Sequence, residues 1–239
     1  MYFLLSGEGP TDIGLCVNSA VDCDGLDHEE GPMAILVSQI VERRLGFSFL
    51  ETRHYGFVSK STLVARASAF KQRKGTPRLP GKKKARETGY FYRNARALAL
   101  CALDKEIELG DKVVAVLFRD SDGTASAGRG LWIDKRESMI QGFDDEGFAR
   151  GVPMVPKPKS EAWIICSVKH DPYQGCAALE DRSGNDNSPN SLKKELADIL
   201  GGVPSRKELC QNVSDGTIDF NRINMPSFNE FRKRLEEAI

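Results

Sequence analysis

Residues 113–124 read VVAVLFRDSDGT, and no other stretch limits the fold so tightly. A short, uninterrupted apolar run rich in Val and Leu is what a strand buried in a parallel sheet looks like. It stops abruptly at Asp120-Ser121-Asp122-Gly123. Open α/β sheets place their ligands just outside the carboxyl ends of such strands. In extended backbone Asp120 and Asp122 point the same way, because side chains alternate with period two. Two like charges held together cost energy unless a cation lies between them. The competing reading is a polar turn in which Asp and Gly only reverse the chain.

The rest of the pattern supplies a sheet for this strand. Tyr2-Phe3-Leu4-Leu5 is a first short strand, broken by Ser6-Gly7-Glu8-Gly9-Pro10-Thr11-Asp12, which exposes Glu8 between two glycines. Residues 16–30 read as a solvated loop, with acids around His28 but without the order of a calcium loop. Pro32–Leu45 is an amphipathic helix with Pro in its first turn, Arg43 and Arg44 in its last and Gly46 as a stop. A second strand is expected at 47–58, a short helix at 61–70, a long helix at 87–108 and the central strand at 112–119. A helix at 133–140 and a fourth strand at 151–155 follow. Ser160 reads as the N-cap of a helix running from Glu161 to about Lys169, which puts Glu161 where the helix dipole favours its ionised form. After a polar, turn-rich segment, helices are expected at 191–200, 205–211 and 227–238, the last with Ser227 and Glu230 as a capping box. Strands alternating with helices indicate an α/β chain with a mostly parallel sheet flanked by helices.

Composition matters mainly through charge. The chain is neutral overall, yet residues 60–96 hold twelve Lys/Arg against one acid, so the remainder carries eleven excess negative charges. Within that segment KQRKGTPRLPGKKKAR has too much Pro and Gly for regular structure and reads as a flexible basic loop. Its Lys71, Arg73, Lys74, Arg78, Lys82, Lys83, Lys84 and Arg86, with Arg93 and Arg96 beyond, are suited to neutralising phosphates. Tyr90, Phe91 and Tyr92 among them offer rings for stacking on unpaired bases, although at least one must face the core. No apolar run is long enough for a membrane span, and MYFLLSGEG lacks the basic flank of a signal peptide. Six cysteines without a C-x-x-C pair argue against a zinc site and for reduced thiols in a cytoplasmic protein.

Glu8, Asp120 with Asp122, and Glu161 should thus reach one sheet edge from separate strands, with Lys157 and Lys159 alongside. Hard oxygen donors in that number suit Mg²⁺ or Mn²⁺. Such ions activate water and stabilise a leaving oxygen in phosphodiester cleavage, and a lysine nearby stabilises the charge that develops.

Glu8 in GEGPTD, followed after an apolar strand by Asp120-Ser121-Asp122, resembles the Toprim domain of topoisomerases, primases and OLD-type nucleases. The resemblance implies a Rossmann-like Toprim fold in which Glu8, Asp120 and Asp122 hold the catalytic metals. Asp12 matches the second acid of the E-G-x-T-[ED] form. Residues 156–165, PKPKSEAWII, resemble the P-x-x-E-x-W segment of a Toprim-like family found beside ATPases in bacterial defence loci, and LEDRSGNDNSPNSLKKEL and MPSFNEFRKRL are similar to its tail. Gly123-Thr124 departs from the pattern, since Toprim loops more often carry their Gly later.

The expectation is a Toprim-like catalytic domain at 1–170, with a basic helical insertion at about 60–108, and a helical extension at 171–239 packed on the same domain. Its metal ligands are Glu8, Asp12, Asp120, Asp122 and Glu161. Its catalytic set is Glu8, Asp120, Asp122, Glu161, Lys157 and Lys159. The activity implied is a Mg²⁺- or Mn²⁺-dependent endonuclease on DNA or RNA, acting in antiviral defence with an ATPase partner and open to self-association. Two other readings stand beside it. One is a nucleic-acid-binding or regulatory subunit with structural carboxylates. The other is a haloacid-dehalogenase-like phosphatase with Asp120 as nucleophile and Asp122 as general acid/base.

Overall fold

The computed structural model describes residues 1–17, 20–70, 86–121 and 131–239. Tyr2–Ser6 forms β1, buried along its whole length. An excursion follows in which β2 (Gly14–Cys16) pairs antiparallel with β4 (His28–Glu30), while β3 (Cys23–Asp24) joins the main sheet. Gly14 makes this ribbon possible: its φ is +116°, and a Cβ there would lie 2.1 Å from the Glu29 carbonyl oxygen. Residues 16–30 are therefore not merely a solvated loop. Asp22, Asp24, Asp27 and Glu29 do face solvent, but His28 is buried with its ring stacked on Phe57, centroids 5.1 Å apart.

Helix α1 (Pro32–Leu45) has the expected bounds, with Pro in the first turn and Gly46 closing it in the left-handed region. The strand expected at 47–58 shrinks to β5 (Tyr55–Phe57). Residues 48–54 instead form local turns, with Thr52 N–H donating to the Ser48 carbonyl and His54 N–H to that of Phe49. Their apolar side chains looked strand-like because they pack inward from these turns, and Phe49 stacks on Phe3 at 4.3 Å. Next come α2 (Lys60–Ser68), α3 (Arg86–Leu109), β6 (Val113–Phe118), α4 (Leu131–Asp144), β7 (Gly151–Met154) and α5 (Ser160–Val168). The chain continues through α6 (Cys176–Leu179), α7 (Leu192–Leu200), α8 (Arg206–Ser214) and α9 (Pro226–Ala238).

The fold is α/β. The main sheet has five strands in the order β3-β5-β1-β6-β7, parallel except for β3. Period-two alternation sends Phe3, Leu5, Val114, Val116 and Phe118 to one face, against α1, α5 and α9. Tyr2, Leu4, Val113, Ala115 and Leu117 go to the other, where Leu63, Ala95, Leu98 and Phe143 of α2, α3 and α4 cover them. Helix α3 is thus one layer of the fold. At Gly142, α4 comes so close to α3 that a Cβ would meet the Tyr92 carbonyl oxygen at 2.5 Å. Residues beyond 170 share the first core: Phe231 of α9 stacks on Trp163 of α5 at 5.7 Å.

Disulfides join Cys16 to Cys23 and Cys166 to Cys176, while Cys101 and Cys210 are free thiols. This corrects the expectation of reduced cysteines: the fold brings the Cα atoms of each pair to 5.8 and 5.4 Å across only 7 and 10 positions. Among the described residues no helix is long and apolar enough to cross a membrane.

Candidate active site at the carboxyl edge of the sheet

From β1 the chain crosses to β5 on one side, whereas β6 leads to β7 on the other. The β1–β6 junction is therefore a topological switch point, the usual place for a ligand in an open α/β sheet. The loops after β6 and β7 are joined there. Ser121 N–H donates to the carbonyls of Pro156 and Pro158 at 3.2 and 3.0 Å, and its hydroxyl donates to Pro158 at 3.1 Å. Buried Lys135 of α4 closes the junction from below, its Nζ donating to the Ser121 carbonyl at 2.6 Å.

Ser160 gathers two of the expected carboxylates. Its hydroxyl donates to Asp12 Oδ1 at 2.8 Å, and its backbone N–H donates to Asp120 Oδ1 at 3.1 Å. Asp12 is held from behind as well, because its carbonyl accepts from Met33 N–H at 2.9 Å in the first turn of α1. Ser160 is not the N-cap. Lys159 takes that position, and the Ser160 hydroxyl serves Asp12 instead of the helix end.

Glu161 follows on the same helix turn and lines a cavity of about 560 Å³ together with Asp12, Asp120, Lys159 and Ser160. Burial pushes the Asp12 carboxyl up, against the lowering effect of hydrogen bonds from Ser160 and Thr11 and of the nearby Lys193 and Lys159. Burial likewise raises Glu161, with Lys159 pulling the other way. The helix N-terminus was expected to keep Glu161 readily ionised; desolvation outweighs it. Lys159, itself buried, ion-pairs with Asp186, and Lys193 Nζ reaches the other Asp186 oxygen at 2.7 Å.

Glu8 and Lys157 are not in this cavity. Glu8 opens onto a neighbouring depression, with Oε1 3.5 Å from the Tyr90 hydroxyl and 3.8 Å from Arg119 Nε. Arg119 is 0% exposed; its Nη1 donates to the Phe118 carbonyl, but Nε and Nη2 have no hydrogen-bond partner. Burial lowers its affinity for its proton, and Tyr90 and Glu8 oppose that. Lys157 turns instead towards Asp181 and Glu180, 3.6 and 3.8 Å away. Glu180 in turn accepts from Ser227 N–H at 2.7 Å, so Lys157 belongs to the anchoring of α9.

Asp122 lies outside the described residues, as do Lys71, Arg73, Lys74, Arg78, Lys82, Lys83 and Lys84 and the side chain of Arg86. Arg93 is exposed. Arg96 is committed elsewhere: it ion-pairs with Glu146 and lies over the Phe70 ring at 4.3 Å, which removes it from the expected phosphate contacts. Phe91 is the ring of the aromatic trio that is buried. Among the described residues no three His, Cys, Asp or Glu side chains form a group that could hold a metal ion. Asp12, Asp120 and Glu161 nevertheless line one cavity as carboxylates, the donor type a hard divalent cation prefers, without converging into such a group. Sequence reasoning missed the roles of Arg119, Ser160, Asp186 and Lys193. Only Arg119 left a signal, as a charge directly following six buried strand residues.

Comparisons with protein-family models, with curated proteins and with solved structures find no match.

Proposed function

We propose that this chain is a Toprim-like nuclease, dependent on Mg²⁺ or Mn²⁺, that cleaves phosphodiesters of DNA or RNA. The observation carrying the reading is the double contact of Ser160 with Asp12 and Asp120, which draws together acids from the connections after β1 and β6. Asp12, Asp120 and Glu161, with Asp122, are the residues that would hold the metal, while Glu8 faces Arg119 in the neighbouring depression. The ion supplies charge to activate water and to stabilise the leaving oxygen. Ser160 fixes the orientation of the two aspartates, and Lys159, steadied by Asp186, adds positive charge beside them. The basic stretch 71–86, with exposed Arg93, would hold the phosphate backbone. The same reading makes the protein an effector of bacterial antiviral defence that works with an ATPase partner.

The test is cleavage of end-labelled single-stranded and duplex DNA and RNA by the full chain, with Mg²⁺ or with EDTA. Metal-dependent cutting that falls by about 100- to 1000-fold in Asp120→Asn is expected. Undiminished cutting by that variant, or no cutting of any substrate, would sink the proposal. Hydrolysis of p-nitrophenyl phosphate in place of oligonucleotides would mark the phosphatase reading instead.

A further inference from the structure

The cavity beside the carboxylates has two unlike walls. Ile164 of α5, Leu196 of α7 and Leu209 of α8 make one side apolar, and Val203 on its lip is 88% exposed. The rim carries Lys193, Lys194 and Arg206. Arg206 Nη2 pairs with Glu29, but its Nη1 is shielded from solvent and has no hydrogen-bond partner. At about 560 Å³ the space falls within the usual range for a small-molecule site, roughly 300–1000 Å³.

We propose that this cavity seats one unpaired nucleotide of a nucleic-acid strand, with the base against the aliphatic wall and a phosphate at the Lys193–Lys194–Arg206 rim. The proposal rests on the reading of Asp12, Asp120 and Glu161 as a phosphodiester-cleaving centre, because it is their position in the floor that makes a nucleotide the fitting amphiphile. A base stacked and paired within a duplex presents only its edges, so entry requires a nucleotide that is already unpaired or has been turned out of the helix. The substrate would then be a single strand, an overhang or a loop.

The experiment is calorimetric titration of the full chain, in EDTA so that no strand is cut, with adenosine 5′-monophosphate, adenosine and inorganic phosphate. The monophosphate should bind at least tenfold more tightly than either fragment. Ala197→Trp, which fills the cavity, should weaken both the monophosphate and adenosine by tenfold or more. Lys194→Ala, a change at an exposed side chain, should weaken the monophosphate and leave adenosine unchanged. Circular dichroism would verify that both variants are folded. A single-stranded oligonucleotide should displace the monophosphate, and a blunt duplex should not. No binding, binding indifferent to both substitutions, or equal displacement by the duplex would overturn the proposal. Absent binding with cleavage that still requires Asp120 would defeat this inference alone, and intact binding without any cleavage would defeat only the nuclease reading.

Discussion

On one side of the β1–β6 junction, acids are crowded but supported. Asp12 and Asp120 share the donors of a single serine, and two lysines held by Asp186 stand beside them. On the other side a cation is buried outright. Arg119 has two nitrogens without hydrogen-bond partners, one of them 3.8 Å from Glu8, whose side chain is still 35% exposed. Buried polar groups without hydrogen-bond partners each cost about 1–3 kcal/mol, and burial of Asp12 and Glu161 costs stability as well. The two sides thus differ in how their charges are supported rather than in the sign of their contribution. The acid side is built into the scaffold through α5, whereas the arginine side persists despite the folding energy. A group retained at such a cost, next to a candidate catalytic acid, is where function and stability pull apart.

That contrast can be broken at several points. Trp163→Ala should have the largest effect, lowering stability by about 3–5 kcal/mol in urea unfolding, because the fully buried indole fixes α5 and with it Ser160. A loss below 1 kcal/mol would detach the acid side from the core. Acid should act next, through His28 in the ribbon below both sides. Burial holds its pKa at about 4, so the unfolded chain takes up a proton below about 6.5 that the folded chain refuses. The contribution of His28 is therefore intact above pH 6.5 and falls by roughly 1.4 kcal/mol per unit towards pH 4, about 3 kcal/mol in all, against the opposite trend from the raised Asp12 and Glu161 carboxyls. His28→Phe should flatten that segment of the stability–pH curve.

Arg119→Met tests the other side directly. Exchanging a buried, poorly partnered charge for an apolar chain should raise stability by about 1–3 kcal/mol while reducing cleavage. If the variant is instead destabilised, Arg119 is a structural support and the two sides do not differ in kind. Ser160→Ala should be the mildest change, about 1–2 kcal/mol, with Ser160→Thr recovering part of it if the hydroxyl contact to Asp12 is what matters.

The sheet was legible because its evidence is local. Tyr2–Ser6 and Val113–Phe118 announce themselves by unbroken apolar character, and α1 by Pro32 and Gly46 at its ends. Caps were less so. The capping box expected at Ser227 and Glu230 occurs at Ser205 and Glu208, because the Ser227 hydroxyl is occupied by the Trp163 indole N–H. Asp12, Asp120 and Glu161 could be named from sequence since they lie in the segments that leave β1, β6 and β7. Their joint dependence on Ser160 could not, as it links positions 148 and 40 residues apart. Nor does sequence distinguish Lys157 from Lys159: two steps along one loop, their side chains leave in different directions, one to Asp181 and the other to Asp186. Arg96 shows the same limit, since a cation beside a basic run gives no sign that Glu146 will claim it.

The indole of Trp163 has one more consequence. Its N–H is donated to Ser227 at 2.8 Å, and Phe228 and Phe231 close around the ring. One end of α5 therefore grips the aspartates while its middle is clamped by α9, a helix with no residue in the cavity wall. That makes α5 a lever with its load at Ser160 and its handle at α9. Trp163 stands three residues from Ser160, so a substitution that loosens the α9 clamp also loosens the mount of the two aspartates.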